Sequence, residues 1–463
     1  MTMQYTAPGT FEAPKVEKYD FPKVPGRDLA HIPGRKGLPW FGILPEAVSD
    51  PYRFTRNMYD RYGPIHRFYA YGSWNLQIVG PEANEFALFD QAGNFSCAGG
   101  WDPVFGRHFQ GGLMLRDGGD HSRHRKLLAA AFKQSHLEGY ARNFDRVIRD
   151  DQPQWRDGVI EAYGSAQRLG FKIGYSSFLG RPENDAEAMD LWSFRTMMRT
   201  STSVVTIPLP GNNEWRAAKA HRHIHRLIGS ALADPLTDER TDLLANLLRQ
   251  QDEQGLTREE IVSHVIFVIA ASYDALSSGM TSMLYELARN PEWQAPIREE
   301  LLAIIKGPED VTLANLGKCQ LAERAFREAL RLHAAAPVLW RRAIRDCEFK
   351  GVRIPAGTFT GINPMLTHLL PEIWGDEPER FNPDHFLPDR VRTRHRFAYV
   401  PFGGGAHACL GMNYAGLEAK MLLRHLLDGH RIELAQDHEA KFYHWPNAKP
   451  IGGLKLRIAP LAG

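Results

Sequence analysis

The stretch FGGGAHACLG, Phe402 to Gly411, sets one of only four cysteines in a glycine-rich loop directly before a helix-like run, MNYAGLEAKMLLRHLL. Several chemistries use such a loop. A dinucleotide site is formally available, because Gly403, Gly405 and Ala408 satisfy G-x-G-x-x-A after the strand-like RFAYV. It fails on context: too little chain follows for a βαβ series, and no acid stands at the ribose position. A P-loop fails because the Lys-Ser/Thr pair is missing. A nucleophilic thiolate at a helix N-terminus stays open, as does a buried structural cysteine. The adjacent glycines count against the latter, since they cost backbone entropy unless something bulky and planar approaches the main chain. An iron porphyrin is such an object. A thiolate ligand to it needs a loop that uncovers the sulfur on one side, N–H groups aimed at that sulfur, and an aromatic shield such as Phe402.

Phe402, Gly405, Cys409 and Gly411 resemble the haem-binding loop F-x-x-G-x-x-x-C-x-G of the cytochrome P450 family. That family also carries an E-x-x-R upstream, supplied here by Glu328 and Arg331 in REALRL, which share one helical face. PERF at Pro378 to Phe381 offers Arg380, which in the family joins the other two in a structural triad. The three segments stand in the family's order, and the resemblance spans about residues 35 to 460. It implies a mainly α P450 fold and haem b, with Cys409 as the axial ligand to the iron and a donor of electron density that favours O–O cleavage. The propionates need cationic or hydrogen-bonding partners. The resemblance assigns them to His121 and Arg125 in GGDHSRHRKLLAAAF, Arg341 in LWRRAIRD with Arg342 as its rival, and His407. Phe402, Gly403 and Gly411 complete the cofactor-binding set.

An apolar run from Thr257 resembles the family helix that crosses the distal face of the haem. Counting back from LARNPEWQ places Ala271, Ser272, Tyr273, Asp274 and Ala275 on its A-G-x-[D/E]-T segment. The acid of the proton relay is present as Asp274; the threonine hydroxyl that takes part in proton delivery is replaced by Ala275. A substrate hydroxyl or carboxylate, an ordered water, or a reaction that avoids oxygen activation would each account for that departure. Ser272, Ser277 and Ser278 stand out of register, and serines in such helices bond back to the preceding turn.

The resemblance further implies a monooxygenase that hydroxylates a lipophilic small molecule of terpenoid, steroid or fatty-acyl type. It would use O2 and two electrons from a separate ferredoxin with its NAD(P)H-dependent reductase. A peroxide-using or isomerase-type enzyme and a catalytically silent haem-containing ligand binder are the alternatives. Substrate contacts are expected from Cys97–Leu115, including Val104 and Phe105, from Ala334–Trp340, including Val338 and Leu339, and from a lid over Thr196–Trp215. Arg123, Lys126, Lys420 and Arg424 form the expected basic docking face for an acidic partner.

The elements that position these residues are legible as patterns. IHRFYAYGSWNLQIVG, Ile65 to Gly80, alternates and reads as a hairpin with Gly72-Ser73 near its middle. Thr257 with Glu260 makes a capping box, and Pro291 stops a helix that is apolar nearly all round, as expected of one running through the interior. LAERAFREALRLHAAAP reads as a shorter helix ending at Pro337, and GGLKLRIAP as a strand. One domain over residues 1–463 follows: an N-terminal arm over 1–36, a β-rich region from about 37–95 and 338–365 plus C-terminal strands, and a helical region from about 110–335 and 410–428. Composition agrees with a packed core, 43% hydrophobic against 24% charged, and a net charge of +2 argues against a dedicated nucleic-acid binder. The N-terminal stretch has no apolar run, so no signal peptide or membrane anchor is expected. Cys97, Cys319, Cys347 and Cys409 lack metal-finger spacing. A cytoplasmic protein with free thiols is the expectation.

Overall fold

The computed structural model describes residues 14, 16, 18–39, 41–156, 158–183, 186, 188–203, 207–435 and 439–461. Most of the N-terminal arm before residue 18 and positions 204 to 206 of the expected lid lie outside these.

The long helix organises the rest. It spans Arg258–Arg289, with Thr257 Oγ1 accepting from Glu260 N at 3.1 Å and Glu260 accepting from Thr257 N at 3.0 Å, the capping box read from the sequence. Among the described residues it alone is long and apolar enough to cross a membrane, but 67% of its apolar window is buried inside the fold, as in a core helix. The helix Ala162–Leu179 packs along it, with Phe171 edge-on to Tyr273 at 6.1 Å. Helices Gly118–Ala130, Gln320–Leu332 and Met412–Leu426 bring the candidate haem residues toward it. The helix Gln320–Leu332 stops before the expected Pro337. His333 turns away instead, stacking on Phe442 at 4.3 Å and meeting Glu286 at 2.7 Å.

The hairpin forms as strands Ile65–Ala70 and Ser73–Ile78, turning through Tyr71 and Gly72, both left-handed at φ 53° and 77°. It joins a six-stranded sheet in the order Gly34–Arg35, Ile65–Ala70, Ser73–Ile78, Phe359–Ile362, Leu339–Ala343, Phe95–Ser96. Strands from both ends of the chain therefore share one sheet. Lys455–Pro460 is the expected late strand, paired with His430–Leu434 and with Val159–Glu161. That last strand falls inside the stretch read as helical; three residues are too short to show a period.

Candidate active site

Cys409 closes a loop whose own hydrogen bonds fix its shape: Cys409 N donates to Phe402 O at 2.9 Å and Gly403 N to Val400 O at 3.0 Å. Cys409 is exposed by surface area although closely packed by protein atoms, and it lines a cavity of about 330 Å³ that this loop and the long helix also line. Burial pushes its thiol pKa up, opposed by the Gly411 N–H aimed at Sγ and by the Arg125 charge. The glycines have a different cause from the one expected. Gly405 sits at φ +64°, and a Cβ there would lie 2.1 Å from the Leu88 carbonyl oxygen, so the neighbouring main chain of the protein itself demands it. Of the three consecutive glycines, Gly403 is the one that lines the cavity.

The loop is held from below by the buried Glu328–Arg331 pair. Arg331 donates Nε and Nη2 to the two carboxylate oxygens at 2.8 and 2.7 Å, and its Nη1 to His368 O at 2.9 Å. His368 Nε2 in turn accepts from Val400 N at 2.9 Å, at the start of the loop. The expected third member, Arg380, is a correction: its side chain is about 70% exposed and pairs with Glu377 at 3.2 Å, so only its carbonyl accepts from Arg331. His385 takes the place, with Nδ1 3.0 Å from Glu328 Oε1. An arginine here would have brought a second full cation beside Arg331; an imidazole and the Asn382 N–H at 2.9 Å complete the carboxylate without it.

At one end of the cavity four basic side chains converge. Arg125 and Arg341 line it with His121 and His407, whose rings stack at 3.8 Å. Burial, then Arg125, holds His121 down to about 4; burial, then Arg341, holds His407 down to about 2. Asp117 is the nearby acid. It is committed to capping the helix Cys97–Phe105 through Cys97 N at 2.9 Å and Ser96 Oγ, and lies 3.6 Å from His407. Among the described residues neither Arg125 nor Arg341 has a carboxylate within ion-pair distance; Arg341 donates to Trp340 O at 2.9 Å. Arg342 points elsewhere, donating to Gly357 O at 3.1 Å and covering Phe21. The arrangement suits a ligand that carries anions at one edge.

Ala271 and Ala275 of the long helix also line the cavity. Ser272 and Ser277 bond back to the carbonyls of Ile269 and Tyr273. Asp274 is buried and faces away from the cavity, where it accepts from Tyr163 Oη at 3.1 Å, Gln167 Nε2 at 3.3 Å and Asn447 Nδ2 at 2.6 Å. Asn447 itself lines the cavity, and no pattern in the sequence marks it.

The apolar remainder comes from Trp101, Phe105, Phe109, Phe267 and Leu339, with Trp101 stacked on Phe105 at 5.4 Å. Two expected contacts are corrected. Val104 lies one residue from Phe105, hence about 100° round the helix, and is buried behind the wall. Val338 packs over Gly361 of the adjacent strand instead. The lid contributes Met198, and it is tied down by Arg107, which pairs with Glu214 and donates to Thr200 O at 3.1 Å and Ser203 O at 3.2 Å. Of the expected docking cations, Arg123 and Lys126 are exposed. Lys420 is a correction: it is buried against Glu323 at 2.9 Å and Leu316 O at 3.0 Å, and Arg424 is committed to Asp428 and Ile305 O.

A family model described as Cytochrome P450 matches residues 32–456. Cytochrome P450 136 of Mycobacterium tuberculosis is 31% identical over 436 residues, covering 92% of this chain and 87% of its own. Pentalenene oxygenase of Streptomyces avermitilis is 30% identical over 344 residues, covering 71% and 76%. A retinoic-acid-bound cyanobacterial structure, CYP120A1, superposes with a TM-score of 0.83 over 93% of this chain and 99% of that one, at 24% identity. The residues fit the family's cofactor: a sulfur open on one side, an N–H aimed at it, and unneutralised cations at one edge of the same cavity.

Proposed function

The chain belongs to the cytochrome P450 family of monooxygenases, and from that premise we propose that it hydroxylates a lipophilic small molecule of terpenoid, steroid or fatty-acyl type. Cys409 Sγ holds the iron of haem b, and Arg125, Arg341, His121 and His407 receive its propionates. When bound, the haem supplies oxygen activation, with the thiolate favouring O–O cleavage. The chain's own residues do the rest: Phe402 shields the sulfur, the Gly411 N–H tempers its charge, and Phe105, Leu339 and the Ala271–Ala275 face press the substrate against the cofactor. Asp274 holds a proton route beside the cavity. Electrons come from a separate ferredoxin and its NAD(P)H-dependent reductase, docking near Arg123 and Lys126.

The observation that carries this reading is the pairing of an uncovered thiol with an unneutralised cationic edge in one apolar cavity. Reconstituted protein, reduced under carbon monoxide, is expected to give the red-displaced Soret band of a thiolate-ligated haem, and Cys409→Ser to abolish it. An unchanged band in Cys409→Ser would sink the assignment. A second reading is favoured by one feature: the Ala271–Ala275 face presents no hydroxyl free to donate. It is a peroxide-using or isomerase-type enzyme, and turnover that needs neither ferredoxin nor NAD(P)H would select it.

A further inference from the structure

The C-terminal loop reaches the cavity at Pro446 and Asn447. Asn447 Nδ2 donates one of its two N–H groups to Asp274 Oδ2 at 2.6 Å, which fixes which way round the amide sits, because a carboxylate accepts only. The amide's other end is then the acceptor Oδ1, to which no hydrogen bond is donated among the described residues. Other lining residues from the long helix and the helix after Cys409 offer few free polar groups. Ala271 and Ala275 have no side-chain heteroatom, Ser272 gives its proton to Ile269 O at 3.0 Å, and Tyr414 turns its hydroxyl to Ser177. The basic groups of the lining cluster with one another, His121 stacked on His407 and both acted on by Arg125 and Arg341. Asp274 itself is met by three neutral donors, Tyr163, Gln167 and Asn447, and among the described residues by no cation within ion-pair distance.

We propose that Asn447 is the specificity-determining polar contact of this cavity: its Oδ1 accepts a hydrogen bond from a hydroxyl or N–H on an otherwise apolar substrate, while the Asp274 carboxylate behind it disfavours a substrate carboxylate at that end. This rests on the hydroxylase reading above and narrows it to neutral, donor-bearing molecules. A site built around a hydrogen bond rejects the analogue that lacks the donor, because the acceptor is left dry and unpaired.

Matched trios test it: farnesol, farnesyl methyl ether and farnesoic acid, and dodecanol, dodecyl methyl ether and dodecanoic acid. Each is titrated into the ferric holoprotein by calorimetry. Native protein is expected to bind each alcohol about tenfold more tightly than its ether, the size of one hydrogen bond, and more tightly than the acid. Asn447→Leu, which keeps the volume, is expected to bring the alcohol-to-ether ratio to about one while leaving ether affinity within about twofold. Equal binding of alcohol and ether by native protein, or parallel weakening of both in Asn447→Leu, would overturn the proposal. The Soret and carbon monoxide spectra of the same samples judge the haem-thiolate reading separately: those spectra can fail while the ratio stands, or stand while the ratio fails.

Discussion

Glu328 shows how much one atom's surroundings decide at the scale of single residues. Burial alone would push its carboxyl up, but the hydrogen bonds from Arg331 and His385 more than offset this and hold it below the usual carboxylate value. Removing one partner of such a buried pair leaves the other charge uncompensated. Arg331→Met is therefore expected to cost about 3–5 kcal/mol in denaturant unfolding. His385→Ala is expected to cost about 1–3 kcal/mol for the lost buried hydrogen bond. Arg380→Ala, whose exposed guanidinium pairs only with Glu377, is expected to stay within about 0.5 kcal/mol. A large loss in Arg380→Ala together with a neutral His385→Ala would restore the E-x-x-R partner expected from PERF.

Among the elements, the lid, taken together with the helix Asn213–Ala231 that starts at its end, is the one with a built-in sensitivity. The helix Asn213–Ala231 carries His221 and His225, with ring nitrogens 3.2 Å apart, against His108 and Arg107 of the segment over the cavity. Burial holds His108 and His225 down to about 3 and His221 to about 4, with Arg107 lowering His108 further and Arg222 lowering His221. The closed lid thus keeps these rings neutral, whereas an opened lid lets them titrate near their ordinary 6.5. Opening binds protons, so lid stability is complete above that value and is lost as pH falls from it toward 4. Amide exchange across 213–231, corrected for its intrinsic pH dependence, is expected to accelerate between pH 7.5 and 5.5 by at most about tenfold per histidine. The Arg107–Glu214 pair and the two carbonyls that Arg107 caps oppose this opening. Protection independent of pH over that range would show that the rings are not freed when the lid moves.

For the whole molecule, the cavity is an electrostatic debt that the cofactor settles. Arg125 and Arg341 converge beside the neutral His121 and His407 with no carboxylate in ion-pair distance of either arginine among the described residues, so the protein without haem carries a repulsion between two cations that two propionates relieve. Haem binding is expected to raise Tm, since a ligand held only by the folded chain stabilises it by about 2.7 kcal/mol at a hundred times its Kd. Arg125→Leu and Arg341→Leu are expected to raise the Tm of the haem-free protein while shrinking the gain on loading. Calorimetry of both forms checks this, and a lower Tm in the haem-free variants would show that the arginines support the fold independently of the cofactor.

The parts legible in the sequence were those set by neighbours along the chain. Thr257 and Glu260 bounded the long helix because an N-cap is a four-residue event, Gly72 marked the hairpin, though the turn falls on Tyr71-Gly72 and not on Gly72-Ser73, and Cys409 stood out because its loop spacing is local. The tertiary structure alone decided which side chains share a site. It chose His385 over Arg380 across 57 residues, brought Asn447 to Asp274 across 173, buried Lys420 and turned Val104 and Val338 out of the cavity. No periodicity encodes such meetings. They follow from which faces pack together, and that is settled only when the whole core closes.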